Sequence, residues 1–266
     1  MKSALKKIYI GLILLFLYAP IFVLMFFSFN ASKSRTNWAG FTLDWYFELF
    51  RDRTIMNALW NTLIIALSSA LIATVIGTAA AIGIQAMKKA PRRAVLTLNN
   101  LPVLNPDIVT GVSLMVLFIF FFNVLKFGSL GFITLLLAHI TFNIPYVILS
   151  VLPKLRQLDP NLYEAALDLG AKPVRAFFNI ILPEIMPGVV TGAILAFTLS
   201  IDDFIISFFT TGSGVSNLSI IVFSMARRGV NPKINALSTI IFAVVMLLLY
   251  LVNIRSKKEG DDGLKI

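Results

Sequence analysis

Residues 158–183, LDPNLYEAALDLGAKPVRAFFNIILP, form a polar interruption in an apolar chain, and their local grammar decides how the rest is read. Asp159 is a helix N-cap type, Pro160 suits the first helical position, and Gly170 suits a left-handed stop, which together predict a short helix of about ten residues. Within it Leu162, Ala165, Ala166 and Leu169 recur at i, i+3, i+4 and i+7, an apolar stripe, while Glu164 and Asp168 form an i, i+4 acidic pair facing away from it. Pro173 opens a second helix from Val174 to Ile181, and Phe177, Phe178, Ile181 and Leu182 lead onward into apolar sequence. The segment therefore reads as helix, glycine turn, helix, with a stripe that needs a partner.

What surrounds this segment is membrane sequence. The chain has 266 residues, 58% apolar and 14% charged, with mean hydropathy +0.87, against about 45–50% and about 25% in soluble domains. A net charge of +10 in a soluble chain would suggest nucleic acid as a partner. Here it is read as cytoplasmic loops of a membrane protein, with no nucleic acid. There is no cysteine and one histidine, which excludes disulfides, thiol chemistry and a histidine metal cluster. No stretch matches G-x-x-x-x-G-K-[ST], so any ATP must be bound by another chain.

Crossing about 30 Å of hydrocarbon takes about 20 helical residues. Uncharged runs of that order lie at Ile8–Phe29, at Ala58–Met87, at Ile108–Leu125 with a start near Leu101, at Phe127–Pro153, between Glu184 and Asp202, and at Ile234–Ile254. The uncharged stretch 204–226 is not counted as a seventh, because Thr210, Thr211, Gly212, Ser213, Gly214, Ser216 and Asn217 interrupt it. It reads as a folded hairpin at the outer surface. Six spans put both termini on one side, and with that side cytoplasmic 15 of the 23 basic residues lie inside, in line with the positive-inside rule. Ala73, Gly77 and Ala81, and again Gly188, Gly192 and Ala196, recur every fourth residue, a spacing expected to pack helices closely within the chain. The expected organisation is an N-terminal span and outer loop over 1–56, a core over 57–254 containing the 158–183 loop, and a cytoplasmic tail over 255–266.

Glu164, Ala165, Ala166, Gly170, Ile181, Leu182 and Pro183, at their spacing and after the fourth of six helices, resemble the EAA loop of permease subunits of binding-protein-dependent ABC importers. The resemblance implies an all-α polytopic fold of the type I importer class. It also implies that the loop, Asp168 included, is a coupling helix inserted into a cytoplasmic ATPase. NWAGFTLDWYFELF, NPDIV, HITFNIPYV, FTLSIDDFIISFFTTG and GVNPKINALSTI extend the likeness along the chain and resemble most closely the spermidine/putrescine branch of that family. The implied assembly has a second permease subunit, two ATPase copies, an extracytoplasmic substrate-binding protein and a polyamine substrate, in the cell membrane of a bacterium. ATP and Mg²⁺ belong to the ATPase, this chain binds no cofactor, and it is a transport subunit rather than an enzyme.

A polycation passing through a low-dielectric bundle needs carboxylates or aromatic faces on its path. Asp202 and Asp203, about 27 Å along the fifth helix from Glu184 at about 1.5 Å per residue, are the candidates, and adjacent helical positions let only one of them face the path. The alternative is that they cap a helix end. Phe204, Phe208 and Phe209 are candidate aromatic faces. Asp107, after Asn105 and Pro106, reads as a helix start with proline in the first turn. His139, near Thr141 and Asn143, is expected to make an interhelical hydrogen bond, and Pro145 to bend its span. Trp38, Trp45 and Tyr46 are placed in the outer loop at an interface, where contact with a binding protein is a second possibility. Permeases for thiamine, iron or other solutes are alternatives within the family; an autonomous channel or secondary transporter is the alternative outside it. A membrane enzyme finds no paired acids or activated nucleophile.

Overall fold

The long uncharged runs form helices here, and prolines within them, Pro20, Pro145 and Pro187, are accommodated without a break. The computed structural model describes residues 2–32, 37–126, 128–159, 161–227, 232–243 and 246. In chain order the helices are α1 (Lys2–Phe27), α2 (Asp44–Arg51), α3 (Arg53–Ala86), α4 (Lys89–Leu104), α5 (Asp107–Leu125), α6 (Phe132–Gln157), α7 (Asn161–Asp168), α8 (Pro173–Ala176), α9 (Leu182–Asp202), α10 (Ile205–Thr210), α11 (Leu218–Arg227) and α12 (232–243). A π-helical turn, Phe177–Ile181, joins α8 to α9, so that Pro173–Asp202 is one 30-residue rod. Among the described residues five helices are long and apolar enough to cross a membrane: Lys6–Phe27, Arg53–Ala86, Asp107–Leu125, Phe132–Gln157 and Pro173–Asp202. Of the sixth expected span, 234–254, the helix 232–243 is seen; its remainder, residue 246 apart, and the tail over 255–266 lie outside the described residues.

One boundary differs from the hydropathy reading. The third span does not begin near Leu101: α4 ends at Leu104, Asn105 and Pro106 are extended, and α5 starts at Asp107. Pro106 lacks an N–H and disfavours a helical residue before it, which breaks an otherwise apolar run. The proline is therefore the N-cap residue rather than part of the first turn. Asp107 makes no capping hydrogen bond and is an exposed first-turn acid.

The chain divides into two compact units, Met1–Met56 with Val222–Ile266, and Asn57–Ile221. In the first, the segment after α1 folds around Asn30, whose side chain bonds Asn37 O (2.8 Å) and Ala39 N (2.9 Å) and whose carbonyl accepts Trp45 Nε1–H (2.7 Å). Trp45 is thus buried and Tyr46 pairs with Ser28, leaving Trp38, stacked on Phe26, as the exposed aromatic of the three. Lys233 bridges Glu48 (3.1 Å) and Asp52 (3.7 Å) in the same unit.

The second unit is built on α6 running antiparallel to α9. Gly188 faces Ser150 and Lys154, Gly192 faces Val147 and Ser150, and Ser200 meets Asn143. From α3, Gly77 meets Val147 on its other side, and Ser69 Oγ reaches Ser200 Oγ at 3.1 Å. Small residues permit this approach, and both stripes read from the sequence pack within the chain. A β-carbon at Gly77 would stand 2.7 Å from Val147 Cβ, whereas one at Gly83 meets nothing within 4 Å. Gly77→Val should therefore destabilise the subunit by about 1–3 kcal/mol through overpacking. Thermal unfolding in detergent, with Gly83→Ala as a variant expected to match the parent, measures this.

Candidate functional site

The candidate residues fall in two regions of the second unit, one at each end of the Pro173–Asp202 rod. At the first end, Asp159 Oδ1 accepts Asn161 N–H at 2.9 Å and its carbonyl accepts Leu162 N–H, so it starts α7 as the sequence implies. The helix stops in a Schellman arrangement: Gly170 N–H bonds Leu167 O (2.9 Å) and Ala171 N–H bonds Ala166 O (3.1 Å), with Gly170 at φ +86°. A residue with a β-carbon is strained in that backbone conformation. Glu164 and Asp168 are exposed. Ile181 and Leu182 pack half-buried against the core of Leu152, Leu155 and Ile185, and Pro183 sits exposed in the first turn of α9.

The apolar stripe does not stay whole. Leu162 and Ala166 turn toward the chain's own core, while Ala165 and Leu169 point away, Leu169 being 89% exposed. Residues 162 and 166 share one line along the helix and 165 and 169 the next, about 60° around it, so the chain covers one edge of the stripe and leaves the other bare. Tyr163, Leu169 and Val174 are exposed beside the two acids. α3 and α6 run parallel, so the basic loop residues Lys88, Lys89, Arg92 and Arg93 fall at the same end of the unit as Lys154, Arg156 and α7.

At the far end the two adjacent acids separate. Asp202, the last residue of α9, is exposed. The backbone turns extended at Asp203, whose carboxylate caps α10: Oδ1 accepts Ile206 N–H (3.1 Å), and Oδ2 accepts Ser207 N–H (2.7 Å) and Ser207 Oγ–H (2.8 Å). Its side chain is 7% exposed, and His139 Nε2 lies 3.6 Å from Oδ2. Phe204 is half-buried, and its ring lies 5.5 Å from that of the exposed Phe208 at a tilt of 40°. The stretch 205–221 is folded back as expected, α10 leading through Gly212 and Gly214 into the first turn of α11. At Gly212, φ is +67° and a β-carbon would lie 2.4 Å from Leu130 O.

Several polar contacts hold this end together. Thr62 Oγ1 accepts Leu218 N–H (2.7 Å), Asn61 donates to Ser216 O (3.1 Å), and Thr134 donates to Thr210 O (2.7 Å). Deeper, Asn143 donates to Ser200 Oγ at 2.7 Å. His139 makes the interhelical bond expected of it, to Ser207 Oγ at 3.0 Å. Its link to Asp203 has no local signature, since the two are 64 positions apart in the sequence. Pro145 is accommodated within a continuous α6. Among the described residues no three His, Asp or Glu side chains converge on a metal position.

Residues 73–256 match the model of the family "Binding-protein-dependent transport system inner membrane component". The putrescine transport system permease protein PotI of Escherichia coli K12 is 43% identical over 232 residues, covering 86% of this chain and 83% of that protein. The spermidine/putrescine transport system permease protein PotC of Haemophilus influenzae is 37% identical over 257 residues, covering 96% and 98%. Among solved structures, a bacterial ABC transporter involved in import of the acidic polysaccharide alginate superposes with TM-score 0.73 at 20% identity, covering 96% of this chain and 94% of that one. At that identity the likeness concerns the fold alone.

The two acids are expected to respond differently to truncation. Asp203→Ala removes the acceptors of α10 and should lower stability by about 1–2 kcal/mol, whereas Asp202→Ala, at an exposed position, should stay within about 0.5 kcal/mol of the parent. Thermal midpoints of the two purified variants test the assignment.

Proposed function

The chain belongs to the family of binding-protein-dependent transport system inner membrane components, and on that premise we propose that it is the polyamine-conducting permease subunit of an ATP-driven importer. It is a membrane transport component and not an enzyme. Spermidine and putrescine are the substrates favoured by the two relatives' names and by the distribution of acids. The observation that carries the mechanism is the rod Pro173–Asp202, about 45 Å long at about 1.5 Å per residue, which joins the α7 loop to an exposed carboxylate.

In this reading α7 docks on a cytoplasmic ATPase, which holds the ATP and Mg²⁺. Leu169 and Ala165 supply the apolar contact, and Glu164 and Asp168 pair with basic side chains of that partner. Gly170 and Ala171 close the turn tightly, so the helix follows the ATPase lobe as a rigid piece. Ile181, Leu182 and Pro183 fasten it to α9, and the displacement reaches the far end along the rod. There Asp202 meets the substrate's ammonium groups, with Phe208 and Phe204 as neighbouring aromatic faces. Asp203 serves the path indirectly, by fixing where α9 ends. A second permease subunit completes the pathway, a binding protein delivers the polyamine at the outer side, and both termini are cytoplasmic.

Glu164→Lys and Gly170→Pro should each abolish co-purification of the ATPase while leaving the spans inserted. Normal ATPase binding and normal uptake in both would rule out the docking role. For the pathway, Asp202→Asn should raise the apparent KM for spermidine about tenfold, the loss of roughly 1.4 kcal/mol of ammonium–carboxylate attraction. Undiminished uptake by that variant, measured in proteoliposomes with the whole complex, would contradict it. Transport by this chain reconstituted alone would instead identify an autonomous carrier.

A further inference from the structure

Asp203, Ser207 and Asn217 meet His139, more than sixty positions earlier in the chain, in one buried cluster where α6, the end of α9, α10 and the start of α11 converge. Ser207 Oγ is its centre. A hydroxyl has one proton and two lone pairs. The proton goes to Asp203 Oδ2 (2.8 Å), so Oγ receives Asn217 Nδ2–H (2.7 Å) and must receive, not give, the bond to His139 Nε2 (3.0 Å). His139 Nδ1 has no partner, and the ring is 1% exposed. The network therefore assigns the donating proton to Nε2. Asn217 closes the cluster: its Nδ2 also reaches Asp203 O (3.2 Å) and its Oδ1 accepts Ile220 N–H (3.0 Å) at the start of α11.

The backbone leaves helical geometry at Asp203, with ψ 124°. A rod ending there has a joint at its tip unless something fixes the next element. We propose that His139 is a positioning residue for transport: its Nε2–H holds Ser207, and with it the Asp203-capped start of α10, against α6, so that Asp202 is presented at a fixed place when α9 moves. The uptake part of this inference rests on the polyamine reading above; the geometric part does not.

Glutamine places an amide N–H the same number of bonds from Cα as histidine Nε2, whereas asparagine places its own at the Nδ1 position. Packing alone does not favour Gln over Asn by the position of the donor. The chain has no cysteine, so Ser213→Cys, at an exposed hairpin position, takes a single spin label. In the full complex, His139→Asn and Ser207→Ala should both mobilise that label and raise the apparent KM for spermidine, His139→Asn by about three- to tenfold for the loss of a neutral hydrogen bond and Ser207→Ala by at least about tenfold for the loss of its bond to the Asp203 carboxylate. His139→Gln should keep the label's spectrum and stay within about twofold in KM. The double variant His139→Asn/Ser207→Ala should be no worse than Ser207→Ala alone, because that substitution already removes the contact that His139 makes. Unchanged label mobility in both single variants, additive effects in the double, or a Gln variant as impaired as Asn would overturn the proposal. So would failure of Ser207→Ala to assemble, which would make the cluster a folding element instead. If the unsubstituted complex takes up no spermidine, the polyamine reading fails, while the spin label still judges the role of His139.

Discussion

Val147 stands between two glycines, Gly77 on α3 and Gly192 on α9, and the second unit is organised around that three-helix contact. In a bilayer the hydrophobic effect does not drive helices together, since lipid is as apolar as leucine, so close approach and interhelical hydrogen bonds must do it. Val147 and Ala196 are fully buried, and Gly188 admits Ser150 and Lys154 to contact with α9. Once these backbones are that near, Ser69 and Asn143 both come within hydrogen-bond range of Ser200. The mid-bundle polar contacts are therefore a consequence of the small-residue stripes. Any polar group there must find its partner inside the protein.

The same constraint explains the far end of α9. A chain that stops a helix within or near a membrane exposes backbone donors, and the structure answers with side chains: Asp203 for α10, Asn217 for α11, Thr62 for Leu218. Two carboxylates adjacent in sequence thereby take unequal roles. Asp203 is consumed by capping, and Asp202, about 100° around the helix, is left exposed. At the near end the Schellman turn does comparable work for α7, satisfying its last carbonyls without a partner and leaving Leu169 bare. One rod thus joins a closed polar cluster at its far end to an uncovered apolar residue at its near end.

Much of this was legible in the residues, because membrane crossing imposes long uncharged runs and the 158–183 segment carries its own N-cap and glycine-stop signals. The hairpin after Asp203 was readable from Gly212, Gly214 and the Thr, Ser and Asn around them. The break between α4 and α5 was not, since hydropathy averages over Asn105 and Pro106 and joins what a single proline separates. The division of the α7 stripe was hidden for another reason: periodicity identifies an apolar face but not which edge of it the chain itself will cover. The cluster of His139, Asp203, Ser207 and Asn217 was out of reach because its members come from different elements, and only tertiary packing brings them together. His139 alone advertised that some bond had to exist.

If an ATPase engaged at α7 drives polycations past Asp202, ATP hydrolysis by the reconstituted complex with its binding protein, followed across a panel of amines, thiamine and metal ions, reads that coupling directly. Spermidine or putrescine should stimulate it, and thiamine and metal ions should not. Stimulation by thiamine or iron with no response to polyamines would contradict the polyamine reading.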